Sequence, residues 1–190
     1  MKALLSEIGS CTICSEFLPL GPRPIVSAHP ESRIAIIGQA PGTKVHETGI
    51  PWDDPSGDRL RNWLGVDKDA FYEVEKFALI PMGFCYPGKG KSGDLPPRPE
   101  CAPQWHTNLL DPMKNLGLTI LVGSYAQAYY LQKRKKKTLT ETVRAWETYL
   151  PEFIPLPHPS GRNNIWLKKN SWFEATLVPA LKAQVKKALS

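Results

Sequence analysis

Four cysteines, Cys11, Cys14, Cys85 and Cys101, make up the thiol complement of the chain, and they fall as a CxxC pair followed by two singles. A CxxC pair supplies two thiolates from one turn, and two later cysteines complete a four-sulfur set for an iron–sulfur cluster or zinc. Disulfides are the competing chemistry, because an even count permits pairing. Nothing in the sequence reads as secreted, so a metal centre is the expectation. Spacing alone does not separate iron–sulfur from zinc.

A second reactive candidate is His158, which is flanked by Pro157 and Pro159. Proline on both sides holds the backbone extended and limits where the imidazole can point. A rigidly presented histidine suits hydrogen bonding to a ligand, and the polar residues from Ser160 to Asn164 would reach toward phosphates. The segment Gly38-Gln39-Ala40-Pro41-Gly42 is the third. Its glycines allow close approach of a ligand to main-chain N–H groups, which are donors to an oxygen carrying negative charge. A further turn at Gly49-Ile50-Pro51-Trp52 carries an aromatic that could stack on a flat base or plug a core.

These segments need a scaffold, and the apolar pattern supplies one. Arg33–Gly38 is a short Ile-rich run ending at glycine, the pattern of a buried parallel strand, and the runs 77–81, 118–123 and 153–156 are similar. Helices are expected over 58–64, 105–116, 125–133, 139–149 and 172–189. The 139–149 helix has a capping box of Thr138 and Glu141. Strands alternating with helices imply an α/β fold around a parallel sheet, with ligands bound at the carboxyl ends of the strands.

With 190 residues and 42% hydrophobic content, the chain can bury one sizeable core, so a single domain over 1–190 is expected. No run approaches the roughly 18 apolar residues of a membrane span. Residues 1–10 lack the length and cleavage site of a signal peptide, and a cytoplasmic protein is expected. The net charge of +6 is unevenly spread. Residues 131–190 hold 12 Lys/Arg against 4 Asp/Glu, and Lys133, Arg134, Lys135, Lys136 and Lys137 form an unbroken run. A basic surface of this kind attracts a polyanion and suits nucleic acid, although such a run can also be only a solvated face.

GQAPG at 38–42, TGIPW at 48–52, the cysteines at 11, 14, 85 and 101, and HPSGRN at 158–163 occur in an order and spacing that resemble the uracil-DNA glycosylase superfamily. The resemblance is closest to its iron–sulfur-containing bacterial and archaeal branch, and LVGSYAQAYYL at 121–131 is similar to that family's third strand and following helix. It implies a three-layer α/β/α sandwich on a four-stranded parallel sheet, acting as a monomer on DNA. The implied activity is base-excision repair: hydrolysis of the N-glycosidic bond of uracil or another damaged base flipped from the stack. The four cysteines would then hold a [4Fe–4S] cluster, with zinc as the alternative, outside the chemistry.

The same resemblance implies residue roles. His158 would donate a hydrogen bond to the departing base, Trp52 would stack on it where the family usually has Phe, and Gly38, Gln39, Ala40, Pro41 and Gly42 would bind base and water. Ser160, Arg162 and Asn163 would clamp phosphates. Three positions depart from the pattern. Gln39 stands where Glu is usual, and His46 where an acid is common, leaving Glu47 as the nearest carboxylate, with Asp53 and Asp54 as further candidates to position water. Pro81 replaces the Asn that reads the uracil edge. A noncatalytic protein that binds DNA or a damaged base is the alternative.

Overall fold

The protein was analysed as a computed structural model that describes residues 1–91 and 93–190. Its strands are β1 (Ile34–Gly38), β2 (Phe77–Pro81), β3 (Lys89–Gly90), β4 (Gly93–Asp94), β5 (Leu118–Val122) and β6 (Phe153–Leu156). Four of them form a parallel sheet in the order β2-β1-β5-β6, with Ile34 level with Phe77 and Leu118, and Thr119 level with Phe153. The residues are apolar on both faces because helices cover both faces, as all-parallel sheets require.

The helices are α1 (Lys2–Gly9), α2 (Thr43–Thr48), α3 (Pro55–Leu64), α4 (Lys68–Tyr72), α5 (Cys101–Leu110), α6 (Ser124–Leu131), α7 (Leu139–Arg144), α8 (Asn164–Lys169) and α9 (Val178–Leu189). Alternation along the strands divides the core. Ile34, Ile36, Leu79, Ile120 and Leu156 pack with Leu60, Trp63, Val143 and Leu181 from α3, α7 and α9. Ala35, Ile37, Ala78, Ile80 and Leu121 pack on the other face with Ile8, Trp105, Leu109, Ala126 and Leu131 from α1, α5 and α6. The result is the three-layer α/β/α sandwich expected above.

Several element ends differ from the sequence reading. α3 begins at Pro55 rather than 58, because the Asp54 side chain accepts from Gly57 N at 2.8 Å and Pro55 occupies the first turn. α5 covers 101–110 rather than 105–116, ending before Pro112, which cannot continue a helix. The Thr138/Glu141 capping box is present, but the helix it starts breaks at Ala145 into a 3₁₀ turn over Trp146–Tyr149. The 172–189 segment is a π-helical turn, Phe173–Leu177, running into α9.

The chain leaves β1 toward one side of the sheet and β5 toward the other, so a crevice opens where the connections diverge at the carboxyl ends. The loops after β1 and β6 meet there. The basic run does not: Arg134 donates to Glu152 Oε2 at 3.0 Å and covers the Phe153 ring, at the amino end of β6. His158 follows the opposite end, roughly 13 Å away along a four-residue strand. No helix among the described residues is long and apolar enough to cross a membrane.

Candidate active site

The crevice is a cavity of about 370 Å³ lined by Gly38–Gly42, Trp52, Asp54, Ser56, Leu79, Pro81, Asp94, His158, Ser160, Arg162 and Asn163, among others. Among the residues singled out from sequence, Gly38, Gln39, Ala40, Pro41, Gly42, Trp52, His158, Ser160, Arg162 and Asn163 share it, as do Asp54 and Pro81. The first loop is stitched to the end of β2 by Met82 N donating to Gly38 O at 2.9 Å and Gly83 N to Gln39 O at 3.0 Å. The last loop is tied to α3 by Arg59, which donates to Ser160 O at 3.3 Å and Asn164 Oδ1 at 2.9 Å.

His158 is held from both sides. Ser160 N donates to His158 Nδ1 at 3.2 Å, and Asn163 Nδ2 donates to His158 O at 2.7 Å. With Nδ1 accepting, the neutral ring carries its proton on Nε2. Desolvation holds the pKa below the ordinary 6.5, against the upward pull of Asp54 and Asp94, so the ring is neutral at pH 7. Gly123, at φ 87°, brings β5's exit so close that a Cβ there would lie 3.8 Å from His158 Cβ.

Trp52 crosses the cavity floor. Its ring lies 5.8 Å from that of His158 at an interplanar angle of 30°. Gly38 lets it in, since a Cβ on Gly38 would stand 2.8 Å from Trp52 Cζ2. The backbone of Trp52 has φ 58°, unusual for a bulky residue. Arg61 Nη1 donates to Trp52 O at 3.2 Å, and Gly57 leaves room for that carbonyl. Tyr72 Oη donates to Pro51 O at 2.8 Å and fixes the preceding residue.

Two carboxylates reach the cavity, Asp54 and Asp94. Asp54 uses Oδ1 to cap α3, and Asp94 comes from the β3–β4 hairpin, whose Gly93 packs closely against the Arg162 guanidinium. Neither Asp94 nor the hairpin was foreseen, because nothing in a Gly/Lys/Pro-rich loop says where it folds back. Glu47 lies elsewhere: it is exposed on α2 and outside the lining residues. Asp53 pairs with Lys68 at 3.2 Å, also outside the lining. His46 is buried against Tyr86, and its Nδ1 has no hydrogen-bond partner among the described residues.

The Pro81 carbonyl at the cavity wall is engaged by a buried network. His106 is 1% exposed and stacks on Phe84 at 5.7 Å and 7°. Its Nε2 lies 3.0 Å from Pro81 O and its Nδ1 2.7 Å from Tyr130 Oη. The carbonyl can only accept, so His106 donates from Nε2 and accepts from Tyr130. Burial pushes the His106 pKa down to about 4, which keeps the ring neutral and this tautomer in place.

All four cysteines are free thiols, and Cys14, Cys85 and Cys101 are buried. Burial raises the Cys85 and Cys101 pKa values to about 11 and about 12, and each of the two also feels the charge of Cys14 and Cys11. Main-chain N–H groups of Arg23 and Phe84 pull the other way at Cys85 and Cys101, favouring thiolates. Among the described residues, no group of three or more His, Cys, Asp or Glu side chains closes on a single metal ion.

Fold and cavity agree with comparison against known families. Residues 26–182 match the family model described as the Uracil DNA glycosylase superfamily. That span holds both loops, the sheet and the whole cavity lining apart from Ile25. With the match covering most of the chain, this protein belongs to the uracil DNA glycosylase superfamily.

Proposed function

We propose that the protein is a DNA glycosylase that hydrolyses the N-glycosidic bond of a deaminated or otherwise damaged base flipped into the cavity. The observation that carries this reading is the neutral His158 ring, its Nδ1 engaged by Ser160 and its Nε2–H left as a donor beside Trp52 and the 38–42 main chain. Trp52 gives the flipped base a stacking face. As the C1′–N bond breaks, its electrons pass to the base, and the Nε2–H hydrogen bond stabilises the resulting anion. Water then adds to C1′ of the oxocarbenium-like sugar and releases a proton. Asp54 replaces Glu47 as the carboxylate that orients this water, and Gln39 lines the same cavity.

Base choice follows from the walls. Pro81 offers no side-chain donor or acceptor, and one lone pair of its carbonyl already accepts from His106. The base edge is therefore read from Gln39, Asp54 and Asp94 rather than from β2. Carboxylates accept from an N–H, which uracil and hypoxanthine both present, so bases other than uracil enter the substrate range.

Membership of the iron–sulfur branch belongs to the same proposal. Zinc would draw all four sulfurs to about 2.3 Å from one centre. A four-iron cluster holds its sulfurs further apart, and the four thiols, three of them buried and Cys11 half-buried, with main-chain N–H donors at Cys85 and Cys101, would serve as its ligands. Cys11, Cys14, Cys85 and Cys101 would hold it, and it would supply a structural anchor.

A noncatalytic binder is the second reading, favoured by Gln39 and Pro81 at positions where the family carries functional side chains. The test is incubation with single- and double-stranded oligonucleotides bearing uracil, hypoxanthine or xanthine, followed by alkali. Strand breaks at the lesion support the enzyme. Mobility shifts with every base intact make it a binder.

A further inference from the structure

The basic run is far from the cavity, yet α6 connects the two. The helix starts at Ser124, directly after Gly123, where an added Cβ would lie 3.8 Å from His158 Cβ, and it ends where Lys133 and Arg134 begin the run. Its inner face, Ala126, Gln127 and Leu131, is buried. Its outer face carries Tyr125 and Tyr129, 40% and 37% exposed, four residues apart and so one above the other; the helix ends at Leu131 and the chain turns at Gln132, φ 47°, before Lys133. No Asp or Glu occurs from Gly117 to Lys137. Only Arg134 of the run has an acidic partner among the described residues, Glu152.

An exposed aromatic row that runs into unbroken positive charge is unusual for a merely solvated face. Aromatic faces accept stacked bases without regard to sequence, and lysines follow the phosphates. We infer that α6 and the 133–137 run form a track for single-stranded DNA, leading from the rim of the cavity along Tyr125 and Tyr129 to Lys133, Lys135, Lys136 and Lys137. Tyr125 to Leu131 spans about 9 Å of helix axis, and the run follows directly after the turn at Gln132. This inference rests on the glycosylase reading for the identity of the nucleic acid, and the track would hold the undamaged strand on one side of the lesion.

The test uses the full chain and a fluorescent undamaged oligothymidine. Two variants are compared with wild type: K133Q/K135Q/K136Q/K137Q, which retains Arg134 and its contacts to Glu152 and Phe153, and Tyr125→Ala. Four lost phosphate contacts should reduce the slope of log affinity against log salt by about 2 to 3 for a single strand. Tyr125→Ala should weaken binding at least about fivefold. Excision from a lesion-centred pentanucleotide, too short to reach the run, should stay at the wild-type rate in the four-lysine variant. Unchanged salt slope and affinity in both variants would overturn the inference, and an equal loss for blunt duplex would overturn the single-strand assignment. Strand binding that depends on the track in a protein that excises nothing would leave this surface standing and remove the glycosylase reading instead.

Discussion

Trp52 shows what single residues contribute. A bulky side chain at φ 58° costs about 1–3 kcal/mol, and Arg61, Gly57 and Gly38 together hold it there. Gly38→Ala should push the indole off the cavity floor, raising KM for lesion DNA several-fold while unfolding stability changes little; steady-state kinetics beside a urea melt would check this. His106 makes a separate prediction about pH. Its folded pKa of about 4 lies below the ordinary 6.5, so the unfolded chain takes up the proton first and stability is lost as pH falls between those values. The loss should reach about 3 kcal/mol by pH 4, and urea titrations of a His106→Gln variant should show a flatter profile. Motif residues such as His158 and the 38–42 loop were legible in the sequence because proline and glycine constrain backbone locally. Asp94 was not, since its place depends on a hairpin that only tertiary contacts define.

At the scale of elements, the segment from Cys85 to Cys101 is the most consequential connection. Both its ends are thiols of the cysteine group, and between them it carries Asp94 into the cavity and Gly93 onto Arg162. Cys101→Ala should therefore loosen the hairpin as well as lower stability. Limited proteolysis should cut between Tyr86 and Pro99 many times faster than in wild type; equal cutting rates would show that the cysteines do not anchor it. The sheet itself was readable, because four short apolar runs bounded by loops have few alternatives as buried parallel strands. Helix limits were less so: Asp54 and Pro55 moved one start forward, and Ala145 interrupted the helix that began with its capping box as expected. The short helices α2 and α8, six residues each, carry too little apolar periodicity to be seen.

For the whole molecule, charge and chemistry occupy different ends of the sheet. The sequence showed a basic C-terminal third but not where it would lie, and the run at 133–137 belongs to the amino end of β6 rather than to the loop that bears His158. Binding and cleavage should accordingly respond to different substitutions, with lysine changes moving salt dependence and cavity changes moving rate. The proposed catalysis depends on His158 stabilising the departing base. Single-turnover excision of a flipped-base substrate by wild type and His158→Ala, at saturating protein and with melting temperatures compared, measures that contribution directly. The account expects a fall of about 10²- to 10³-fold with the fold intact. A variant that excises within threefold of wild type would contradict it.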